Sequence, residues 1–378
     1  PMREKFGLPL PEQKIGLSAH DFQQAFGAAE VVITRAAKIE GTPTVPSRWL
    51  LRLETLLEKF DMTLDTTGAE KILSWQRQFD QPVTYEPVLA PRPTPPVAAR
   101  PRRLSVTRIE QWIKDPYSIF AAQILKLRPL DEIAMDPSAA DKGTFIHAAL
   151  ERFIEEFPGR LPENGREKLL EYGREAFGDM FSYPSVWAFW WPRFERITDW
   201  FIAFETGRRK SFRTLRTEAH GEIRIPSPAA DFTLSGTADR IDQAVSDGSL
   251  SILDYKTGML PSPTEVETGV SPQLALEAAM LARRGFPGIT VAPVSELAYI
   301  KLSGADPAGE FRNAGGSKSP PTETLADEAY EGLVRLIAQF DRQATPYLSC
   351  PRPDLPYRFN DYEHLARVKE WSSGEDPE

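Results

Sequence analysis

The stretch from Leu215 to Lys256 constrains the fold more than any other part of the chain. It reads as three strands, at about Leu215 to Ile225, Phe232 to Val245 and Ser249 to Lys256, with Ser246-Asp247-Gly248 as a hairpin signal between the last two. Side chains alternate across a strand, so Asp254 and Lys256 share one face at the end of the third strand and Tyr255 takes the other. The hairpin lets Asp239, in Gly236-Thr237-Ala238-Asp239-Arg240-Ile241-Asp242, lie beside Asp254. Asp242 falls on the opposite face and reads as structural, and Gly236 as a place for close backbone approach by a ligand.

Helical patterns surround these strands. Ser105 caps a helix through Ile109 and Trp112, interrupted at Asp115-Pro116. A helix with Phe145, Ala149, Leu150 and Phe153 holds His147 and begins after an Asp141 cap. Two more helices reach about Lys210, and their aromatics (Trp187, Phe189, Trp190, Trp191, Trp200, Phe201) are expected in the core. After the strands come a helix from about Pro272 to Arg284, a strand from Val294 to Leu302, a glycine- and proline-containing loop, and a helix from Thr324 to Asp341. This order predicts an α+β fold over residues 104–378: a mixed sheet flanked by helices, with a helical insertion.

Residues 1–83 are poorer. They carry helical patterns at Asp21 to Glu30 and Arg48 to Phe60, with a strand-like run at Val31 to Thr34 between them. That is too little to enclose a core, and a chain opening at Pro1-Met2 is expected to be a piece of a longer polypeptide. Prolines at 82, 87, 91, 93, 95, 96 and 101 then predict an extended strap or linker over 84–103.

The net charge of −9 disfavours a protein that coats nucleic acid over its whole surface. Two basic clusters remain, Arg92, Arg100, Arg102, Arg103 and Arg108, then Arg208, Arg209, Lys210, Arg213 and Arg216. An acidic chain with a basic groove suits an enzyme that acts on a polyanion. The single cysteine, Cys350, excludes an internal disulfide and any multi-thiolate metal site made by this chain alone. No apolar run approaches the roughly 20 residues that span a bilayer, so no membrane association and a cytoplasmic setting are expected.

The chemistry follows from the carboxylates. Asp239 and Asp254, brought together, repel unless a cation or proton neutralises them. Hard oxygen ligands select Mg²⁺, with Mn²⁺ an alternative, and the His147 imidazole is an acceptable further ligand. Lys256 beside them stabilises charge on an attacking water or a phosphate oxygen. Other templates fail: the chain has no Gly-x-Ser-x-Gly, no His-Glu-x-x-His and no Gly-Lys dipeptide, hence no P-loop and no ATP site.

Gly143…His147, Gly236-x-x-Asp239-Arg240-Ile241-Asp242, Asp254-Tyr255-Lys256-Thr257-Gly258 and Gln273-Leu274-x-Leu276, in that order, resemble the RecB-like branch of the PD-(D/E)XK nucleases over about residues 104 to 370. The resemblance implies metal ligation by His147, Asp239, Asp254 and the Tyr255 carbonyl. It makes Lys256 the catalytic lysine and places Gln273 near the scissile phosphate. More narrowly, Thr34-Arg35-Ala36 and Pro46-Ser47-Arg48-Trp49-Leu50 are similar to the end of the helicase-like domain in AddB-type proteins. Those proteins work with an AddA-type helicase–nuclease in double-strand-break repair.

Two positions depart from the family. Glu277 stands where a tyrosine often follows the glutamine by four residues. Asp115 and a lone Cys350 stand where many members carry four cysteines on an iron–sulfur cluster, so no cluster is expected. The ends are then expected to be joined by Trp112, Tyr117 and Phe120 on one side and Tyr347, Tyr357, Phe359, Tyr362 and Trp371 on the other. The resulting expectation is a Mg²⁺-dependent deoxyribonuclease, exonuclease in mode, acting at DNA ends, with Arg102, Arg103 and Arg240 touching DNA. The alternatives are a catalytically silent DNA-binding or scaffold module of the same complex, and an RNA or CRISPR-associated nuclease of the same fold.

Overall fold

The structure is a computed structural model that describes the chain except at residues 1–4, 8–10, 40, 65–67, 82–83, 85–87, 131–135, 317–318, 353–359 and 373–378. It divides into two units, residues 1–86 and 87–378. The first carries helices α1 (Pro11–Phe26), α2 (Arg48–Glu58) and α3 (Ala69–Asp80) and a short antiparallel pair, β1 (Lys38–Ile39) with β2 (Thr42–Pro43). Among its described residues Leu50 alone is buried, in keeping with too few apolar positions for a core. Helix α1 starts ten residues earlier than the pattern suggested. The Val31 to Thr34 run forms no strand, and Val31, Val32 and Ile33 are exposed: β-branched residues make a strand only where a partner strand accepts them.

The second unit is built on a sheet of β3 (Arg103–Ser105), β4 (Phe212–Ile225), β5 (Phe232–Ala244), β6 (Leu250–Lys256), β7 (Val294–Leu302) and β8 (Gly309–Asn313). Pairing is parallel at β3–β5 and β6–β7 and antiparallel at β4–β5, β5–β6 and β7–β8, so the sheet is mixed. Strand β8 lies in the stretch expected as loop; five residues containing Glu310, Arg312 and Asn313 give too little apolar alternation to announce it. Strand β4 runs along one edge of β5, while β3 and β6 divide the other. β3 pairs with Thr233 to Ser235 and β6 with Arg240 to Gln243, which leaves residues 236–239 in a gap between them.

Helices α4 (Val106–Lys114), α5 (Pro116–Ile119), α6 (Ala139–Glu156), α7 (Gly165–Phe177), α8 (Trp191–Arg208), α9 (Pro263–Glu267), α10 (Gln273–Ala282), α11 (Thr322–Phe340) and α12 (Val368–Trp371) accompany the sheet. One core, with Ile109, Trp112, Leu234, Ile252, Leu274 and Ile337, joins α4, α10 and α11 to one face. A second, with Leu150, Phe153, Phe194, Phe201, Tyr255 and Ile300, joins α6, α7 and α8 to the other. Trp190, Trp191 and Trp200 pack against this second core, but Trp187 and Phe189 are 57% and 67% exposed rather than buried. No helix among the described residues is long and apolar enough to cross a membrane.

Several charges read as surface are interior. Arg240 is 1% exposed and is held by Glu205 at 2.5 Å and Asp242 at 2.6 Å, with the Tyr255 hydroxyl at 3.3 Å. It cannot touch DNA, and this corrects its assignment as a contact residue. Arg208 bonds Asp242, Ser251 and Glu296 beside it, so it leaves the second basic cluster. Arg100 leaves the first: it is 4% exposed and donates to the carbonyls of Phe340, Arg342 and Gln343. Together with the Tyr347 N–H donated to the Pro93 carbonyl, Arg100 binds the proline-rich stretch along the second unit; Pro82 and Pro87 lie outside the described residues.

The two ends of this unit meet at Asp115, which is fully buried. Its carboxylate accepts from the Cys350 N–H at 3.1 Å, from Asn360 Nδ2 at 2.8 Å and from the Ser118 hydroxyl. Tyr117 and Tyr362 pack beside it with Ala121 and Ala366, and Phe120 stacks toward Tyr347. Tyr357 and Phe359 lie outside the described residues.

Candidate active site

Four elements converge on the gap in the β5 edge. Helix α6 is launched by a capping box in which Ser138 is the cap and Asp141 the reciprocal partner, so Asp141 sits inside the helix rather than capping it. A side chain on Gly143 would stand 3.3 Å from Thr257 Oγ1, so glycine there lets α6 approach the end of β6. His147, one turn on, is thereby set edge-on to Tyr255, with ring centroids 5.8 Å apart and Nδ1 3.7 Å from Asp239 Oδ2. Gly236 also serves packing: a Cβ there would meet Val106 at 3.3 Å and Met280 at 3.4 Å, so glycine lets α4 and α10 sit close on the sheet.

Asp254 and Lys256 meet as their shared strand face predicts. Lys256 Nζ lies 2.8 Å from Asp254 Oδ1 and 3.2 Å from Gln273 Oε1, and Gln273 Nε2 donates to the same Asp254 oxygen at 2.7 Å. Asp254 is 2% exposed. Asp239 accepts from the Tyr255 N–H at 2.7 Å, which ties it to the end of β6.

The structure adds a residue the motif reading missed. Ligand atoms of His147, Glu218 and Asp239 all lie within 4.8 Å of one another, a spacing suited to one metal ion. In this arrangement Glu218 joins His147 and Asp239, while Asp254 is engaged by Lys256 and Gln273. Glu218 belongs to β4, and a register starting from Ile225 opposite Phe232 brings it opposite Asp239. That count was available from sequence once both strands were drawn as a hairpin. Its conformation was not: Glu218 has φ of +42°, a region that costs a non-glycine residue about 1–3 kcal/mol.

The strain coincides with a change of face. Ala219 and Ala238 pack in the first core, yet Thr217 and Arg240 reach Glu155 and Glu205 on the helices of the other side. Residues two apart in a regular strand keep one face. Here they do not, and the intervening pair, Glu218 and Asp239, drops out of the pairing register.

Electrostatics match a cation site. Burial and then the Asp254 charge push Asp239 up to about 8. Glu218 is raised by burial and then by Glu151, and Glu277, wholly buried behind Gln273, is raised far more by burial and by Asp254 and Asp239. Burial holds His147 below the usual imidazole range, so it stays neutral and keeps a lone pair for a metal. Burial alone would lower Lys256, but the surrounding carboxylates, Asp254 foremost, outweigh it and keep the ammonium charged. Several carboxyls with one lysine lack positive charge, and the donor set of one neutral imidazole and carboxylate oxygens fits a hard divalent ion.

Of the arginines expected on DNA, Arg102 is bound to Asp341 at 2.6 Å, while Arg103 is 62% exposed in its side chain and paired with Glu222 at 3.0 Å.

Residues 103–354 match the model of the PD-(D/E)XK nuclease superfamily. A protein of Rickettsia conorii is 31% identical over 370 residues, covering 89% of this chain and 41% of its own length. One of Rickettsia bellii is 30% identical over 278 residues, covering 70% of this chain and 32% of its own. The chain thus spans less than half the length of these curated relatives. It is also 29% identical over 210 residues to an ATP-dependent helicase/deoxyribonuclease component of Moorella thermoacetica, covering 49% of this chain and 18% of that protein. With a mixed sheet flanked by helices and a superfamily match over most of its length, the chain belongs to the PD-(D/E)XK nuclease superfamily.

Proposed function

We propose that the chain is the nuclease portion of a helicase–nuclease component of the AddB type, hydrolysing phosphodiesters of DNA with Mg²⁺ or Mn²⁺ at broken ends. The observation that carries this is the convergence of His147, Glu218, Asp239 and Asp254 with Lys256 in one gap of the sheet. A bound divalent ion would supply Lewis-acid polarisation of the phosphate and an activated water. His147, Asp239 and Glu218 would hold it, with Asp254 and the Tyr255 carbonyl close by. Lys256, oriented by Asp254 and Gln273, meets the negative charge that grows on the phosphate. Tyr255 is anchored through its hydroxyl to Arg240, which keeps the end of β6 in place under Asp239.

The Moorella relative's name motivates an AddA-type partner that supplies ATP-driven unwinding, because this sequence has no P-loop of its own. A silent scaffold is disfavoured, since all the acidic and basic groups of the site are present and brought together. End-labelled linear DNA, incubated with Mg²⁺, Mn²⁺ or EDTA and with or without an AddA-type partner, tests the proposal. Cleavage is expected with metal only and should fall at least about 10²-fold in Asp254→Ala and Lys256→Ala. Undiminished cleavage by a folded Asp254→Ala protein would refute the assignment.

A further inference from the structure

A second cleft, of about 380 Å³, lies beside the site and is lined by none of His147, Glu218 and Asp239. Gln273 stands in its wall and also bonds Asp254 and Lys256, so the two spaces adjoin. The other polar lining includes Arg103 and Ser105 of β3, Thr107 at the start of α4, and His220 and Thr237, which are paired across β4–β5. His220 Nδ1 is 2.8 Å from Thr237 Oγ1, which engages one ring nitrogen and leaves the other available. His220 follows Glu218 by two residues on β4 and lines the cleft, so it lies between the carboxylate cluster and the cleft. Ser105 and Thr107 place two more hydroxyls 2.9 Å apart, and the Arg103–Glu222 pair is exposed enough for an incoming anion to compete for the guanidinium.

The spacing suits a polymer. Thr237 and His220 are each two residues along the ladder from Asp239 and Glu218, a step of about 6.8 Å. Successive phosphates of a nucleic-acid strand are separated by a similar distance.

We propose that this cleft binds the sugar-phosphate of the nucleotide next to the scissile phosphate. His220, Thr237, Ser105 and Thr107 would bond phosphate and sugar oxygens, with Arg103 as the cation. The subsite rests on the nuclease reading and adds to it a requirement for a neighbouring nucleotide on one side of the cut. It reads backbone rather than base edges, so it confers a length requirement without sequence preference.

The test compares a short fluorescent single-stranded oligodeoxynucleotide with a chromogenic bis-aryl phosphodiester, which carries no sugar and reports the metal site alone. The proteins are the unaltered chain, the double variant His220→Ala/Thr237→Val, Thr237→Val alone, the conservative Thr237→Ser and Arg103→Ala, each checked by thermal melting. The double variant should bind the oligonucleotide about tenfold more weakly in Ca²⁺ and raise its KM in Mg²⁺ by a similar factor. The small diester should lose far less than the oligonucleotide, Thr237→Val alone should leave its turnover unchanged, and Thr237→Ser should behave as the unaltered chain. Arg103→Ala should reduce the salt dependence of oligonucleotide binding by about 0.7 in the log–log slope. Unchanged oligonucleotide affinity in the double variant, or an equal loss on the small diester, would overturn the subsite while leaving the nuclease assignment standing. If the unaltered chain neither binds nor cleaves either substrate with any metal, the nuclease reading fails and the subsite with it.

Discussion

Replacing Asp239 by asparagine should make the metal-free protein more stable while destroying its response to metal. The Asp239 carboxyl holds its proton up to about 8, against 3.8 for an unperturbed aspartate. Between those values the folded chain keeps a proton that the unfolded chain releases, so stability falls as pH rises through the window and is lowest above it. Assigning the whole displacement to folding gives a cost of about 5 kcal/mol at pH 8. Burial contributes most of that displacement, ahead of the Asp254 charge, and asparagine is itself a buried polar group, so the substitution recovers only part, on the order of 2 kcal/mol. For a unit of this size each kcal/mol moves the melting temperature by about 2–4 °C. Asp239→Asn, whose amide oxygen can still accept from the Tyr255 N–H, should melt about 4–8 °C above the unaltered chain at pH 8 in EDTA. At pH 5, less than a third of the way into the window, the difference should shrink to roughly a third, and the two proteins should coincide near pH 4. Mn²⁺ should raise the melting temperature of the unaltered chain at pH 8 and leave the variant where it was. Differential scanning calorimetry across pH 4–8 decides. A variant that melts at or below the unaltered chain at pH 8 in EDTA, or a difference independent of pH, would refute the reasoning.

Two further outcomes concern the frame around the site. Asp115→Ala should leave the Cys350 N–H and Asn360 amide without an acceptor, lower stability by about 1–3 kcal/mol and speed hydrogen exchange around Cys350; unchanged exchange there would show that the ends are held elsewhere. Arg240→Ala takes one of two arginine partners from each of Glu205 and Asp242, Arg209 and Arg208 remaining, and should cost about 1–3 kcal/mol, yet leave the salt dependence of DNA binding unchanged; a reduced salt slope would return Arg240 to the DNA surface.

What could be read from the sequence was what depends on local alternation. Asp254 and Lys256 lie two apart on a strand, so their shared face follows from the pleat alone. Asp239 required one further step, the hairpin signalled by Ser246-Asp247-Gly248, with Gly248 at φ of +75°. Glu218 required the register of a second, longer connection and a left-handed backbone angle that strand propensity argues against. The arginines failed for a different reason. Charge in a sequence reads as solvent-facing until its partners are known, and the Glu205 that encloses Arg240 lies 35 residues away on α8. Arg100 is satisfied by backbone carbonyls more than 200 residues downstream, which no local pattern can announce.

The change of face at Glu218 and Asp239 has a mechanical consequence. On one side of this pair the strands are clamped by α4, α10 and α11, and on the other by α6, α7 and α8. The ligands therefore stand on a seam, and their separation is set by how far two slabs that share one sheet are turned against each other. A substitution deep in either slab, such as Ile252→Val or Phe153→Leu, would translate into a small rotation at the seam rather than a local dent. Metal affinity should thus report on core packing many ångströms away, and the fit of the site should be lost on heating before either slab melts.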